Sequence, residues 1–186
     1  MVIEVMGRDA GWIALRAGTS GGGDVILIPE IPFDLESVCR SIASREARGA
    51  RFSLVVVAEG AMPRGGAKTV AVSAAQSATG FDRLGGVSDV VAREVEGSAR
   101  IECRVTVLGH VQRGGSPTTL DRVLGTRFGV GAVDLVEERS LGRMVALHGD
   151  TITSVPLDEV VGHLKLVDPE GQEVRSAESI GVSFGR

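Results

Sequence analysis

The sequence has little aromatic character: aromatic residues make up 3% of its 186 positions, and tyrosine is absent. It also lacks a long basic run, and its formal net charge is −4 at pH 7. Proteins that bind single-stranded nucleic acid stack bases on aromatic side chains, and those that bind duplexes neutralise phosphates with lysine and arginine. Because both features are missing, we expect no nucleic-acid partner.

Cysteine is equally scarce, and Cys39 and Cys103 stand far apart at no metal-ligand spacing. Two unpaired thiols are typical of a reducing compartment, so we expect a cytoplasmic protein. No apolar stretch reaches the roughly 20 residues that a membrane-spanning helix needs. The N-terminus also lacks the basic and apolar regions of a secretory signal. We therefore expect no membrane partner.

What the chain does contain is typical of an α/β domain with a substantial core, since 43% of its residues are hydrophobic. Short apolar runs predict strands at 2–5, 24–28, 52–58 and 105–108. Periodic apolar residues predict helices at 10–17, 34–49, 86–97 and 118–138, and a short helix at 157–164. This alternation indicates a largely parallel sheet with helices on both faces.

Two further segments interrupt that alternation. Residues 61–80 are predicted to form a loop-rich excursion with little apolar periodicity. Residues 143–147 and 151–155 flank His148-Gly149-Asp150, a pattern that predicts one antiparallel hairpin near the C-terminus. The polar, weakly patterned residues 165–186 are interpreted as a C-terminal tail, so that residues 1–164 form the main unit. Because a strand pattern begins directly at the N-terminus, we interpret the chain as the second part of something longer.

The segment 104–117 is the centre of the chain. Its apolar run predicts a strand buried on both faces, and His110, Gln112 and Arg113 follow at the carboxyl end of that strand. Ser116 is then placed to cap a helix, with Pro117 as its first residue. Ligands of open α/β sheets bind at this edge, and a helix start there favours anions.

Polar groups follow two other predicted strands in the same way, as Gly7-Arg8 and as Glu59-Gly60. If the strands are parallel, the three sets of polar groups share one edge of the sheet. Guanidinium groups bind phosphate oxygens in a bidentate fork, and a carboxylate accepts hydrogen bonds from sugar hydroxyls. A phosphorylated sugar fits this combination better than an apolar ligand or a metal.

Each of these residues also has an ordinary structural interpretation. Arg8 fits a solvated residue at a helix start, although cations are disfavoured there. Glu59 fits a cap or an ion-pair partner, and Arg113 fits a loop charge beside two glycines. His110, on pattern alone, is more typical of a buried and hydrogen-bonded core histidine. The combination of the four is more informative than any member.

At these residues the sequence resembles the bacterial 6-phosphofructokinases. The resemblance extends from residue 1 to about residue 164. It is carried by Met6-Gly7-Arg8, by the strand before Pro29-Glu30, by Ala58-Glu59-Gly60 and, most specifically, by the segment 104–117. The sequence at 11–14 is similar to that of a branch of the family that includes actinobacterial ATP-dependent enzymes and pyrophosphate-dependent relatives. The resemblance implies a Rossmann-like phosphofructokinase fold.

The resemblance also implies an activity, the phosphorylation of fructose 6-phosphate at its 1-hydroxyl in glycolysis. Arg8 would face the transferred phosphoryl group as well as the sugar, and Glu59 would hold sugar hydroxyls. His110 and Arg113 would bind the phosphate of the sugar. The residues that would line the same site are Met6, Gly7, Val111 and Gln112.

Arg104 has a different implied role, because it precedes its strand and lies away from the site edge of its own chain. In the family the matching arginine reaches a neighbouring subunit's site, so the resemblance implies a homo-oligomer, either a dimer or a tetramer. The family's first half has no counterpart in this sequence. That half carries the phosphate-donor loops, the acid that holds Mg²⁺ and the aspartate that acts as base. Arg48 and Arg51 match the family's regulatory site only loosely.

We therefore interpret the chain as the fructose 6-phosphate-binding half of a phosphofructokinase, with little activity alone. Two alternatives stay open at this point. The donor is either ATP or pyrophosphate, because the residues that discriminate them belong to the absent half. The second alternative is that the chain is a non-catalytic phosphosugar-binding subunit or a truncated fragment.

Overall fold

Strands and helices alternate along most of the chain, as the sequence pattern predicts. A computed structural model describes residues 1–73, 75–76 and 83–186. The chain divides into two units: the sheet unit, Met1–Arg113 with Lys165–Arg186, and the hairpin unit, Gly114–Leu164. The elements in chain order are β1 (Val2–Val5), α1 (Trp12–Ser20), β2 (Val25–Leu27), α2 (Leu35–Ala47), β3 (Val55–Ala58), β4 (Val70–Val72), β5 (Arg83–Leu84), α3 (Val87–Ala99), β6 (Val105–Val107), α4 (Thr119–Glu137), β7 (Arg143–His148), β8 (Thr151–Pro156) and α5 (Gln172–Ser179).

The sheet unit is built on four parallel strands in the order β2-β3-β1-β6. Val2 of β1 is in register with Val55 on one side and with Val105 on the other. Because all pairs are parallel, the carboxyl ends of β3, β1 and β6 lie next to one another at one edge of the sheet. The predicted fold class, a largely parallel sheet with one antiparallel hairpin, is confirmed.

Two apolar layers cover the faces of this sheet. One layer packs Val2 and Val57 against α2 and α3, and the other packs Val5 and Val56 against α1 and α5. Side chains of successive strand residues point to opposite faces, which is why neighbouring valines join different layers. Each fully buried valine stabilises the fold by roughly 1.5–3 kcal/mol. The two layers place helices on both faces of the sheet, as the sequence predicts.

The C-terminal residues do not form the tail that we predicted. Val174 and Phe184 are buried in the layer on the α1 face. Ser183 extends the sheet beyond β2, since its carbonyl accepts a hydrogen bond from Ile26 at 2.8 Å and its amide donates to Asp24 at 3.0 Å. The structure thus joins residues 165–186 to the sheet unit and places the division at residues 114 and 164 instead. α5 is only eight residues long and buries only Val174 and Ala177, so few apolar residues mark it in the sequence.

The prediction that the strand at 105–108 is buried on both faces was wrong. Val105 and Val107 of β6 are 36% and 55% exposed. Within the residues that the structure describes, β6 pairs with β1 alone and is an edge strand. An apolar, β-branched run is identical in a central and in an edge strand, so the sequence pattern did not distinguish them.

The excursion at 61–80 also contains more order than we predicted. β4 and β5 form a small antiparallel pair, whereas residues 74 and 77–82 lie outside the described part of the chain. α3 begins directly after this segment, and its first residues lie beside Glu4, whose carboxylate is buried in the sheet. Glu4 Oε2 accepts hydrogen bonds from the Ser88 amide at 3.0 Å and from the Ser88 hydroxyl at 2.6 Å. A strand carboxylate therefore satisfies amide groups at the start of α3.

In the hairpin unit, β7 and β8 form the antiparallel hairpin that the sequence predicts. The start of α4 differs from the prediction, because Thr118 is its N-cap and exchanges hydrogen bonds with Asp121 in a capping box. Ser116 and Pro117 consequently precede the helix. The predicted helix at 157–164 is a single 3₁₀ turn, Leu157–Glu159, and Gly162 follows with a φ of +82°. Among the described helices, none is long and apolar enough to cross a membrane.

Candidate functional site

The polar groups that follow β1, β3 and β6 are in direct contact. The Met6 amide donates a hydrogen bond to Gln112 Oε1 at 2.7 Å, and the Gly7 amide lies 3.4 Å from Glu59 Oε1. β1 lies between β3 and β6 in the sheet, so the turn after β1 receives a side chain from each neighbour. The structure thus brings together Met6, Gly7, Glu59 and Gln112, as the sequence predicts.

Two glycines allow the turns after β1 and β3 to approach closely. A Cβ atom on Gly60 would lie 1.9 Å from the carbonyl oxygen of Arg8. The Gly60 amide instead donates to the Gly7 carbonyl at 3.0 Å. Gly7 has a φ of +152°, a conformation that side-chain-bearing residues rarely adopt. Both glycines are therefore required by the local backbone geometry.

Lys68 reaches the same turn from the excursion between β3 and α3. Its ammonium donates to the Arg8 carbonyl at 2.7 Å and forms an ion pair with Asp9 Oδ1 at 2.6 Å. Its side chain is 30% exposed. Sequence reasoning missed this residue, because nothing in the pattern of residues 61–80 relates Lys68 to a turn sixty positions earlier. Lys68 and Gly60 together fix the backbone on which Arg8 is carried.

The residues after β6 form a 3₁₀ turn, Gly109–Arg113. Within this turn Gln112 is half-buried and contacts β1, whereas His110, Val111 and Arg113 are exposed. The interpretation of His110 as a buried core histidine is therefore wrong. The exposed guanidinium and imidazole instead belong to the open carboxyl edge of the sheet, where Arg8 is also exposed. This edge combines positive charge with the carboxylate of Glu59.

Arg104 lies at the opposite end of β6. Its carbonyl accepts a hydrogen bond from the Val2 amide at 2.8 Å, at the amino end of the sheet. Its guanidinium forms an ion pair with Glu102 at 2.7 Å, and both side chains are about three-quarters exposed, at 77% and 75%. The structure thus separates Arg104 from the other candidate residues along its own chain. Arg104 thus lies away from the site edge, as its place before the strand predicts; its role in a neighbouring subunit's site stays a prediction.

The amino end of the sheet also contains a cleft, which is lined in part by Met1, Phe52, Ile101 and Cys103. This cleft is separate from the candidate site at the carboxyl end. Burial raises the pKa of the Cys103 and Cys39 thiols, which keeps them protonated near neutral pH and weakly nucleophilic. In the part of the chain that the structure describes, no group of three or more His, Cys, Asp and Glu residues is arranged to hold a metal ion.

The fold is a parallel α/β sheet whose carboxyl edge, where open sheets of this class bind their ligands, presents arginines, a histidine and a carboxylate. Backbone amides at the β1 turn are held by Glu59 and Gln112, so the edge has a defined shape. The chain belongs to the phosphofructokinase family, since the family model described as Phosphofructokinase matches residues 1–136.

Curated relatives of this family match almost the entire chain. The ATP-dependent 6-phosphofructokinase 2 of Clostridium perfringens is 48% identical over 185 residues, covering 99% of this chain and 50% of the relative. The pyrophosphate–fructose 6-phosphate 1-phosphotransferase of Streptomyces coelicolor is 50% identical over 185 residues, covering 100% of this chain and 52% of the relative. The chain therefore spans about half the length of the curated relatives it matches.

Solved structures of similar fold belong to the same family. The phosphofructokinase of Saccharomyces cerevisiae has a TM-score of 0.69 and 28% identity, over 96% of this chain and 21% of that chain. A pyrophosphate-dependent phosphofructokinase of Marinobacter aquaeolei has a TM-score of 0.74, over 98% of this chain and 47% of that chain. At 23% identity the second structure supports the fold alone.

Proposed function

We propose that this chain is the fructose 6-phosphate-binding part of a 6-phosphofructokinase, an enzyme that transfers a phosphoryl group to the 1-hydroxyl of the sugar. The observation that carries the proposal is the convergence of three strand ends. The Met6 amide meets Gln112 from one neighbouring strand, and the Gly7 amide meets Glu59 from the other. The substrate, fructose 6-phosphate, is taken from the names of the relatives. The positive charge of this edge is complementary to the phosphate of that sugar.

Each residue has a role that follows from its chemistry. His110 and Arg113 bind the phosphate of the sugar, because a guanidinium donates two parallel hydrogen bonds to phosphate oxygens. Glu59 accepts hydrogen bonds from sugar hydroxyls. Arg8 neutralises charge on the phosphoryl group during transfer, which is the main contribution a protein makes to this reaction. The residues that shape the site around them are Met6, Gly7, Val111 and Gln112.

The residues that bind the donor and its Mg²⁺ belong, in this proposal, to the part of the relatives that the chain does not span. The general base belongs to the same part. The relatives named for ATP and for pyrophosphate are almost equally similar to this chain, at 48% and 50% identity. Identity to these relatives therefore favours neither ATP nor pyrophosphate as the donor. We also propose that the complete enzyme is a cytoplasmic homo-oligomer in which Arg104 reaches the sugar site of a neighbouring subunit.

A coupled assay for fructose 1,6-bisphosphate tests the enzyme. The chain is assayed alone and after co-expression and co-purification with the unmatched half of the Streptomyces coelicolor relative, with ATP and pyrophosphate in separate reactions. We expect turnover only in the co-purified complex. Full turnover by the chain alone would contradict the proposal. Binding of fructose 6-phosphate by the complex without turnover would instead indicate the non-catalytic phosphosugar-binding alternative.

Calorimetry of the same complex tests the site residues directly. We expect Arg113→Gln to weaken fructose 6-phosphate binding by about tenfold or more, since hydrogen bonds to charged groups contribute roughly 1.5–3 kcal/mol. Arg93→Gln is the matched control, because Arg93 is an exposed arginine on α3 whose guanidinium donates to the Asp89 carbonyl of the same helix. Equal affinities of the two variants for fructose 6-phosphate would show that Arg113 does not bind the sugar.

A further inference from the structure

The segment Pro29-Glu30 carries part of the family resemblance, yet the proposed sugar site gives it no role. It follows β2 at the carboxyl edge of the sheet. The Gly11 amide donates to Glu30 Oε1 at 3.0 Å and to Glu30 Oε2 at 3.1 Å. Gly11 is the N-cap of α1 and follows Arg8 by three positions. Glu30 therefore binds the end of the turn that carries Arg8.

The start of α1 explains why a carboxylate is favourable at this place. The N-cap, Gly11, has no side chain, and the first turn of the helix, residues 12–15, contains no acidic residue. The first amides of a helix have no partners within the helix, and a negative charge is favourable beside them. Glu30 supplies both the acceptor and the charge from the end of β2.

Close packing at Gly11 sets the position of this contact. A Cβ atom on Gly11 would lie 2.3 Å from the Cβ atom of Ile28 and 3.0 Å from Glu30 Oε2. Gly11 is buried, and Ile28 is fully buried in the layer on the α1 face. Because glycine has no side chain, the start of α1 lies directly against the residues after β2. The core thus fixes Glu30 relative to the turn.

Glu30 is also bonded to the C-terminal segment, residues 165–186. The Val167 amide donates to Glu30 Oε1 at 2.8 Å, and Val167 is buried in the layer on the α1 face. Two positions earlier, the Lys165 carbonyl accepts a hydrogen bond from the Trp12 indole at 2.6 Å. A side chain that positions another group must itself be held by packing and hydrogen bonds. Glu30, bonded to two backbone amides, meets this requirement.

The turn between β1 and α1 is therefore bonded at its beginning, middle and end. The ends of β3 and β6 hold its first amides, and Lys68 holds the Arg8 carbonyl. We propose that Glu30 is a positioning residue of the sugar site, which fixes the end of this turn and thereby the direction of the Arg8 side chain. This role rests on the proposed function, in which Arg8 neutralises charge on the transferred phosphoryl group. A misplacement of about 1 Å can cost on the order of 100-fold in rate.

A second carboxylate allows positioning to be separated from general stability. Glu173 of α5 accepts hydrogen bonds from Arg16 at 3.0 Å and 2.8 Å. Like Glu30, Glu173 joins α1 to the C-terminal segment, but it does so inside the helix and not at the turn before it. Glu173→Ala is therefore the matched control for Glu30→Ala, because it removes a carboxylate link of α1 and leaves the bonds at Gly11 in place.

Hydrogen exchange of individual amides tests the contact without sugar or donor, so its outcome is independent of the proposed function. The chain is compared with its Glu30→Ala and Glu173→Ala variants. We expect Glu30→Ala to raise the exchange rates of the Gly11 and Val167 amides by about tenfold or more, because both amides lose their acceptor. Glu173→Ala should leave both rates within about twofold of the parent chain. Unchanged rates in Glu30→Ala would overturn the proposal.

Kinetics of the complex co-purified with the unmatched half of the Streptomyces coelicolor relative test the positioning role. We expect Glu30→Ala to lower kcat by about tenfold or more. The Kd for fructose 6-phosphate should rise by no more than about threefold, because His110, Arg113 and Glu59 are carried by other strand ends. Each kcat is divided by the number of sites that calorimetry counts, so that partial unfolding does not imitate the effect. Glu173→Ala should match the parent complex in both quantities.

Glu30→Gln tests whether the conservative variant restores the role. Glu30 Oε1 accepts from both the Gly11 and the Val167 amides, and glutamine retains one such oxygen. We expect the kcat of this variant to lie within about threefold of the parent value. A parent complex no faster than Glu30→Ala, or a glutamine variant as slow as the alanine variant, would overturn the positioning role alone. A parent complex that does not bind fructose 6-phosphate would overturn the proposed function and, with it, the role of Glu30.

Discussion

The two units of this chain differ in where their apolar residues lie. All the buried apolar residues belong to the sheet unit, from Val2 in β1 to Phe184 near the C-terminus. The hairpin unit has a similar supply of valine and leucine but buries none of them. Regular secondary structure therefore does not by itself indicate an independent fold. A unit with a buried core resists change through that core, whereas the hairpin unit has no buried residue that could do so.

The largest expected effect is on the core of the sheet unit. Phe184→Ala removes a side chain that is 2% exposed between the sheet and α5. We expect it to reduce the free energy of unfolding by about 3–5 kcal/mol, the usual result of truncating a buried phenylalanine. Urea denaturation of the chain measures this. Leu141→Ala in the hairpin unit, at 76% exposure, is the control and should change stability by less than about 0.5 kcal/mol.

Equal effects of these two substitutions would contradict the distinction between the units. They would also return residues 165–186 to the status of a peripheral tail.

The next effect in size concerns the buried carboxylate at the centre of the sheet unit. Glu4→Ala leaves the Ser88 amide and hydroxyl and the Gly86 amide without their acceptor. We expect a loss of about 2–3 kcal/mol in the free energy of unfolding, because buried donors lose a charged partner. Glu102→Ala is the control, since Glu102 is an exposed carboxylate at the start of the β6 segment. A loss as small as that of the control would show that α3 does not depend on Glu4.

The structure explains which parts of this fold the sequence predicts. The strands, the polar strand ends and the hairpin are local patterns, and all of them are observed. Glu4 and Lys68 form hydrogen bonds with residues 84 and 60 positions away, and Phe184 shares its apolar layer with Val5 and Ile26, so no local pattern indicates these contacts. The exposure of β6 depends on which strands surround it. Likewise, the division at residue 114 depends on which residues are close in space, which a sequence pattern does not contain.

A glycine substitution gives a smaller effect on stability and a specific effect on the site. Gly60→Ala places a Cβ atom 1.9 Å from the Arg8 carbonyl, so the turn that carries Arg8 must move. We expect fructose 6-phosphate affinity in the co-purified complex to fall about tenfold or more, with a loss of roughly 1–3 kcal/mol in unfolding free energy. Calorimetry and urea denaturation measure the two quantities.

Gly97→Ala is the matched control for this substitution. A Cβ atom at Gly97 meets no atom within 4 Å, and the residue lies inside α3. Alanine should therefore stabilise that helix by up to about 1 kcal/mol and leave sugar binding unchanged. If Gly60→Ala binds the sugar as the parent chain does, the close approach of the two turns has no part in the site.

The smallest effect is a pH dependence at the start of α4, in the unit that lacks a core. Hydrogen bonds from the Thr118 amide and hydroxyl lower the pKa of Asp121. A carboxyl whose pKa is lower in the folded than in the unfolded state stabilises the fold above the unfolded value, about 3.9 for aspartate. That stabilisation is lost as the pH falls through the lowered pKa. Nuclear magnetic resonance of α4 amides between about pH 5 and pH 2 should show increasing fraying of its first turn.

Asp121→Asn is the control for this titration, because asparagine does not change charge over the same range. The variant should show a fraying that no longer depends on pH, whereas Thr118→Ala should fray the first turn at every pH. Because none of residues 114–164 is buried, little packing holds the first turn of α4, and the capping effect should be confined to that turn. First-turn amides of the parent chain that do not respond to pH over this range would contradict the capping role of Asp121.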